Sequence, residues 1–115
     1  MKRKAIIFDL DGTAIDSPGQ KLPDQRLIEA IRKLEKRFFL CAATGRVWTF
    51  AKPVLQALGL TDPCIISAGT QICDPVTGNI LWQQVIEEPA LEQALAVLKQ
   101  YPEYKLLHND GTEDD

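Results

Sequence analysis

Two aspartates separated by one residue, in Asp9-Leu10-Asp11-Gly12-Thr13, follow directly on the apolar run Lys4 to Phe8. A carboxylate at the very end of an apolar strand is costly to desolvate unless it binds something. Two acids two residues apart, where a chain leaves a strand, point in different directions. One can face a crevice while the other reaches over it, and Gly12 lets the backbone turn sharply after them. An Asx-type turn explains an Asp-Gly pair by itself, but it leaves the second acid unexplained. Further polar clusters follow the next apolar runs: Thr44-Gly45-Arg46 after Phe38 to Ala43, and Ser67-Ala68-Gly69-Thr70 after Cys64 to Ile66.

The elements that must position these clusters are readable from periodicity. Lys4 to Phe8 is a continuous apolar run with β-branched residues, as expected of a strand buried on both faces of a parallel sheet. Asp24, after Pro23, can cap a helix in which Leu27, Ile28, Ile31 and Leu34 share one face and Arg26, Glu29, Arg32, Lys33 and Lys36 the other. Phe38 to Ala43 is a second strand, so strand, helix and strand make a parallel crossover. Val47, Phe50, Val54, Leu55 and Leu58 predict a second helix up to Gly59, with Pro53 expected to kink it or restart it at its first turn. Open parallel sheets place their ligand crevice at the C-terminal ends of the strands, where the polar clusters stand.

After the third strand, Cys64 to Ile66, the alternation stops. Gln71 to Asp74 and Ile80 to Ile86 flank Pro75-Val76-Thr77-Gly78-Asn79, which reads as a hairpin. Pro89 opens a third helix with Leu91, Ala94, Leu95 and Leu98 on one face, and Tyr104 to His108 reads as a short strand before a polar tail.

The chain has 115 residues, 45% of them hydrophobic, and a formal net charge of −3. That length holds one domain and excludes two. The scattered Lys and Arg give no single-sign field of the kind nucleic acid or an acidic membrane surface requires. Lys2, Arg3 and Lys4 precede an apolar run too short for a signal-peptide core or a membrane span, so the expected location is cytoplasmic. Cys41, Cys64 and Cys73 each lie in or beside an apolar run. Their odd number suits reduced, buried thiols better than a disulfide framework or a zinc site. His108 has no second His to pair with and reads as a surface or strand residue, and Asp110 to Asp115 reads as solvated acids.

Asp9-Leu10-Asp11-Gly12-Thr13, in its place after the first strand, resembles the first signature motif of the haloacid dehalogenase (HAD) superfamily. Ala42-Ala43-Thr44-Gly45-Arg46 resembles the second motif in the form used by the Cof-type, sucrose-phosphatase-like branch, subfamily IIB. Cys64 to Ile72, followed by Asp74, Thr77-Gly78 and Ile80, is similar to that branch's third-strand segment and hairpin, with Ala68 where an Asn is usual. The resemblance runs from about Lys4 to Ile86.

It implies an α/β fold: a Rossmann-like three-layer α/β/α core with a parallel sheet, here incomplete, followed by the start of a C2-type α+β cap. Residues 1–82 would belong to the core, and 83–115 to the opening of the cap or a C-terminal tail. The implied activity is a Mg²⁺-dependent phosphatase of small phosphorylated metabolites such as sugar phosphates. In that scheme Asp9 is the nucleophile that forms an aspartyl-phosphate, and Asp11 the general acid and base. Mg²⁺ is held by a carboxylate oxygen of Asp9 and the backbone carbonyl of Asp11. The Thr44 hydroxyl and the Gly12, Thr13 and Gly45 amides donate to the phosphoryl oxygens, while Arg46 either reaches the substrate or pairs with a nearby acid.

The family's third motif, a cation, and its fourth, further acids, belong to later core strands that this sequence does not reach. The chain is therefore expected to be a truncated N-terminal portion, weak or inactive alone. Two alternatives stand beside this reading. One is a receiver-type phosphoacceptor module, which would need an acid after the third strand where Ser67-Ala68-Gly69 stands. The other is a phosphate-binding regulatory or structural remnant, in which the open sheet edge is covered by a homo-oligomer.

Overall fold

The structure, a computed structural model, describes residues 2–16 and 22–104. Strand β1, Lys4–Phe8, pairs in parallel with β2, Phe38–Ala42, from the Lys4–Phe38 level to the Phe8–Ala42 level. The crossover between them carries helix α1, Gln25–Leu34. Asp24 caps it by accepting the Arg26 N–H at 2.9 Å, and Arg32 and Lys33 complement the dipole in its last turn. Ile31 is buried, with Leu27, Ile28 and Leu34 packed against the core.

Helix α2, Trp48–Ala57, returns the chain to β3, Cys64–Ile66, which joins β2 through a parallel bridge between Ala43 and Ile65. A single 3₁₀ turn, Ser67–Gly69, leads into β4, Gln71–Cys73, and then β5, Ile80–Gln83, both paired antiparallel in the order β3-β4-β5. Helix α3, Glu88–Leu98, has Pro89 in its first turn. No helix among the described residues is long and apolar enough to cross a membrane.

The core lies under β2 and β3, where Leu40, Ala42, Cys64 and Ile66 meet Ala51, Val54, Leu55 and Leu58 of α2 and the chain beyond it. Leu10 and Ile15, from the loop after β1, complete it.

Several expectations need correction. β1 is not buried on both faces: among the described residues it pairs with β2 alone, and Ile7 is 61% exposed. Helix α2 runs unbroken through Pro53, and its buried face is Trp48, Ala51, Val54 and Leu55, leaving Phe50 exposed. The overlapping stripe through Trp48 prevails because the larger Trp48 ring is covered by the β4–β5 turn. A Cβ added to Gly78 would lie 2.8 Å from that ring, so only glycine fits. β5 ends at Gln83, short of Ile86, and α3 buries none of its residues. Tyr104 stands in a bend, and the rest of the strand read over 104–108 lies outside the described residues, as do His108 and the acidic tail.

Candidate active site

The parallel register sets the C-terminal ends of β1 and β2 side by side. Phe8 is level with Ala42, and the Ala43 N–H donates to the Phe8 carbonyl at 2.8 Å. Asp9 and Asp11 therefore leave the sheet beside Thr44, Gly45 and Arg46, as the spacing of the sequence clusters requires.

The loop after β1 is built on a buried anchor. Leu10 is 0% exposed, and its carbonyl accepts the N–H groups of Thr13, Ala14 and Ile15 at 3.2, 2.9 and 3.0 Å. Gly12 turns the chain with φ of 79° and donates its own N–H to the Ile15 carbonyl at 2.8 Å. This corrects one expectation. The Gly12 and Thr13 amides are spent inside the turn, so as folded they shape the loop rather than donate to a phosphoryl group.

Asp9 is exposed, and its Oδ1 accepts the Leu10 N–H at 2.8 Å, which fixes the carboxylate and leaves Oδ2 without a partner among the described residues. Thr44 is 5% exposed, and its Oγ1 accepts the Arg46 N–H at 3.1 Å, so the hydroxyl proton remains to be donated. The exposed Gly45 amide has no partner among the described residues.

Arg46 makes the tie between the two clusters. Its Nε and Nη2 donate to Asp11 Oδ2 and Oδ1 at 2.9 and 2.6 Å, a bidentate pair, while Nη1 donates to the Phe50 carbonyl at 3.1 Å. Of the two roles open to Arg46, the structure shows the pairing with an acid. Hydrogen bonding from Arg46 holds the Asp11 carboxyl below its ordinary range against a smaller opposing effect of burial, and the same bonds raise Arg46.

The donor set is of the right type for a hard divalent cation: a carboxylate oxygen of Asp9 and the Asp11 carbonyl. These are two oxygens, and among the described residues no group of three His, Cys, Asp or Glu side chains could hold a metal. A Mg²⁺ ion fits here only if water, substrate and groups beyond this set complete its shell.

The role of the loop after β3 was not foreseen. Ser67, Ala68 and Gly69 have φ of 51°, 54° and 92°, so three successive residues take the left-handed region. The geometry aims two amides back at the neighbouring cluster: Ser67 N–H donates to the Arg46 carbonyl at 2.8 Å and Ala68 N–H to the Thr44 carbonyl at 3.2 Å. Ser67 Oγ also donates to Gln71 Oε1 at 2.6 Å, and the buried Gln71 passes the connection to Gln83 on β5 at 3.2 Å. The available signal was the Ser-Ala-Gly sequence at a strand end.

The sequence profile of haloacid dehalogenase-like hydrolases matches residues 6–112. The chain belongs to this family. Solved HAD structures share its fold. A phosphatase of the superfamily from Bacteroides thetaiotaomicron is 20% identical with a TM-score of 0.73, the match covering 87% of this chain and 36% of that one. A protein from Geobacillus kaustophilus is 25% identical at a TM-score of 0.71, over 88% of this chain and 38% of that one. A subclass IIB sugar phosphatase is 23% identical at 0.67, over 84% of this chain and 37% of that one. The chain thus spans little more than a third of the length of these solved neighbours. No curated protein sequence matches it.

Proposed function

We propose that the chain carries the nucleophile and phosphate-binding half of a phosphatase acting on small phosphorylated metabolites. The observation that carries this reading is the Asp9 carboxylate, fixed by the Leu10 amide, beside an Asp11 held bidentately by Arg46 at the adjoining strand end. Asp9 attacks phosphorus, the bond to the leaving oxygen breaks, and Asp11 hands that oxygen a proton. Asp11 then takes a proton from the water that hydrolyses the aspartyl-phosphate. In the folded geometry Asp11 is a carboxylate, ready for the second step, and the first requires Arg46 to loosen its hold. The Thr44 hydroxyl and the Gly45 amide donate to the phosphoryl oxygens. Mg²⁺, when bound at Asp9 and the Asp11 carbonyl, supplies charge neutralisation between nucleophile and phosphate.

The likeness to a subclass IIB sugar phosphatase supports a sugar-phosphate class of substrate. Residues from 83 onward, with α3 unpacked, suit the start of a cap over the site rather than more core. The family's third-motif cation and fourth-motif acids have no counterpart among the described residues of this site. If one lost charge-stabilising group costs about 3 kcal/mol, two or more lower turnover by several powers of ten. With Mg²⁺ and acetyl phosphate, a phosphoryl group is expected on Asp9, mapped by mass spectrometry and absent in Asp9→Asn, with p-nitrophenyl phosphate turned over very slowly. A phosphoryl group elsewhere, or one retained in Asp9→Asn, overturns the assignment.

The edge of β1 that has no partner strand among the described residues favours a second reading, in which the chain binds phosphate and a second copy covers that edge.

A further inference from the structure

Two polar side chains are buried among the described residues, Thr44 and Gln71, each 5% exposed. Thr44 belongs to the candidate active site, whereas Gln71, on β4, has no part in the chemistry proposed above. Its surroundings make an amide an unfavourable choice. Gln71 is level with Ile66 on β3, and Cys73, two residues on, is level with Cys64, so alternation sets these four side chains on one face. Ile66, Cys64 and Cys73 are 0% exposed. An amide buried beside them costs free energy unless its oxygen and nitrogen both find partners, and a leucine of similar volume makes no such demand.

Both partners are present. Ser67 Oγ donates to Gln71 Oε1 at 2.6 Å, and Gln71 Nε2 donates at 3.2 Å to Oε1 of Gln83, the residue level with it on β5. The amide is thus anchored on β5 and reaches the turn at Ser67.

That turn needs holding. Ser67 and Ala68 take the left-handed region without being glycine, at φ of 51° and 54°, and such conformations persist only where the surroundings over-determine them. Ser67 is bound through each of its polar groups. Its N–H donates to the Arg46 carbonyl at 2.8 Å, its carbonyl accepts the Thr70 N–H and hydroxyl at 3.1 and 2.7 Å, and its own hydroxyl donates to Gln71. The Ala68 N–H donates to the Thr44 carbonyl at 3.2 Å.

We propose that Gln71 is a positioning residue of the site: by holding the Ser67–Gly69 turn in its left-handed form it seats the backbone of Thr44 and Arg46, and so aims the Thr44 hydroxyl and the guanidinium that grips Asp11. What the seated groups act on rests on the phosphatase reading; that Gln71 seats them does not.

The chemistry sets which replacements keep the role. Glutamate keeps both bonds: protonated, it accepts from Ser67 and donates to Gln83 as the amide does, and ionised, it accepts from Ser67 and from a Gln83 amide turned over to present its nitrogen. Leucine keeps the volume and makes neither bond. Ser67→Ala removes the same bond from the other end and leaves the Ser67 amide in place.

The wild-type chain and the Gln71→Leu, Gln71→Glu and Ser67→Ala variants are compared by amide hydrogen exchange at Ser67 and Ala68 and by the NMR signal of the Arg46 Nε–H, which donates to Asp11 at 2.9 Å. In Gln71→Leu and Ser67→Ala the two amides are expected to exchange at least about fivefold faster, the worth of one hydrogen bond, while Val54 and Leu55 of α2 keep their rates. The Arg46 signal is expected to shift or broaden in the same two variants. Gln71→Glu restores both readouts, which a role in packing alone does not, because leucine is the better filler. Unchanged exchange in Gln71→Leu and Ser67→Ala overturns the proposal. So does faster exchange with an Arg46 signal that stays in place, or a Gln71→Glu chain that behaves like Gln71→Leu. Where Gln71→Leu does not fold, Ser67→Ala, on the partly exposed turn, decides.

Phosphorylation of Asp9 by acetyl phosphate with Mg²⁺ separates this proposal from the phosphatase reading. The rate is expected to fall several-fold in Gln71→Leu and to recover in Gln71→Glu, and an equal rate in Gln71→Leu overturns the positioning role. A wild-type chain that takes no phosphoryl group on Asp9 overturns the phosphatase reading, and the exchange and NMR comparison then decides on Gln71.

Discussion

Ala68 sits at φ 54° and ψ 34°, a conformation that costs a residue with a Cβ about 1 kcal/mol or more. The strain is held because the turn delivers its amide to Thr44 and that of Ser67 to Arg46. Replacing Ala68 with Gly removes the clash while keeping both amides, and it is expected to raise stability by up to about 1 kcal/mol in urea unfolding, tempered by the added freedom of the unfolded chain. An unchanged or lowered midpoint means that the turn is not strained. At this scale the sequence shows which residues matter and less of what they do. Asp9, Asp11, Thr44 and Arg46 are evident from residue type and position at strand ends. The spending of the Gly12 and Thr13 amides within their own turn is not evident, because backbone partners are decided by loop geometry.

Among the elements, helix α2 shows how a correct period can still miss part of the buried face. Val47, Phe50, Val54, Leu55 and Leu58 repeat at helical spacing, and so do Trp48, Ala51, Val54, Leu55 and Leu58; the three shared residues are buried, and Phe50 is not. The choice between stripes is made by a distant turn, where Gly78, at φ 80°, lies against the Trp48 ring. Gly78→Ala puts a methyl 2.8 Å from Trp48 ring atoms and strains a left-handed residue, so the variant is expected to lose about 1–3 kcal/mol, read as a lower denaturation midpoint. The same loss from a remote, exposed Gly59→Ala alone would show a backbone effect; Gly59 also has positive φ but nothing near its Cβ position, so the excess at Gly78 measures the contact.

For the molecule as a whole, the βαβ crossover and the hairpin were legible because periodicity and turn residues are local. The exposure of β1 was not. A run of Ala5, Ile6 and Ile7 announces a strand that wants neighbours on every side, while burial depends on which neighbours are present. Among the described residues one edge of β1 has no partner strand, and Ile7 is 61% exposed. Self-association is therefore expected to grow with concentration in size-exclusion chromatography with light scattering, and to weaken when Ile7 is replaced by Lys. A wild-type chain that stays monomeric at high concentration removes the second-copy reading and leaves the proposed phosphatase role untouched.

The hydrogen-bonded line from Gln83 through Gln71 to Ser67 reaches from the outermost strand to the loop that steadies Arg46. β5 is the strand from which the chain runs on toward α3. The backbone beside the Arg46–Asp11 pair is thus tied, through two side-chain hydrogen bonds, to the strand from which the chain leaves the sheet, so a substitution at Gln71 removes the side-chain bridge between the two.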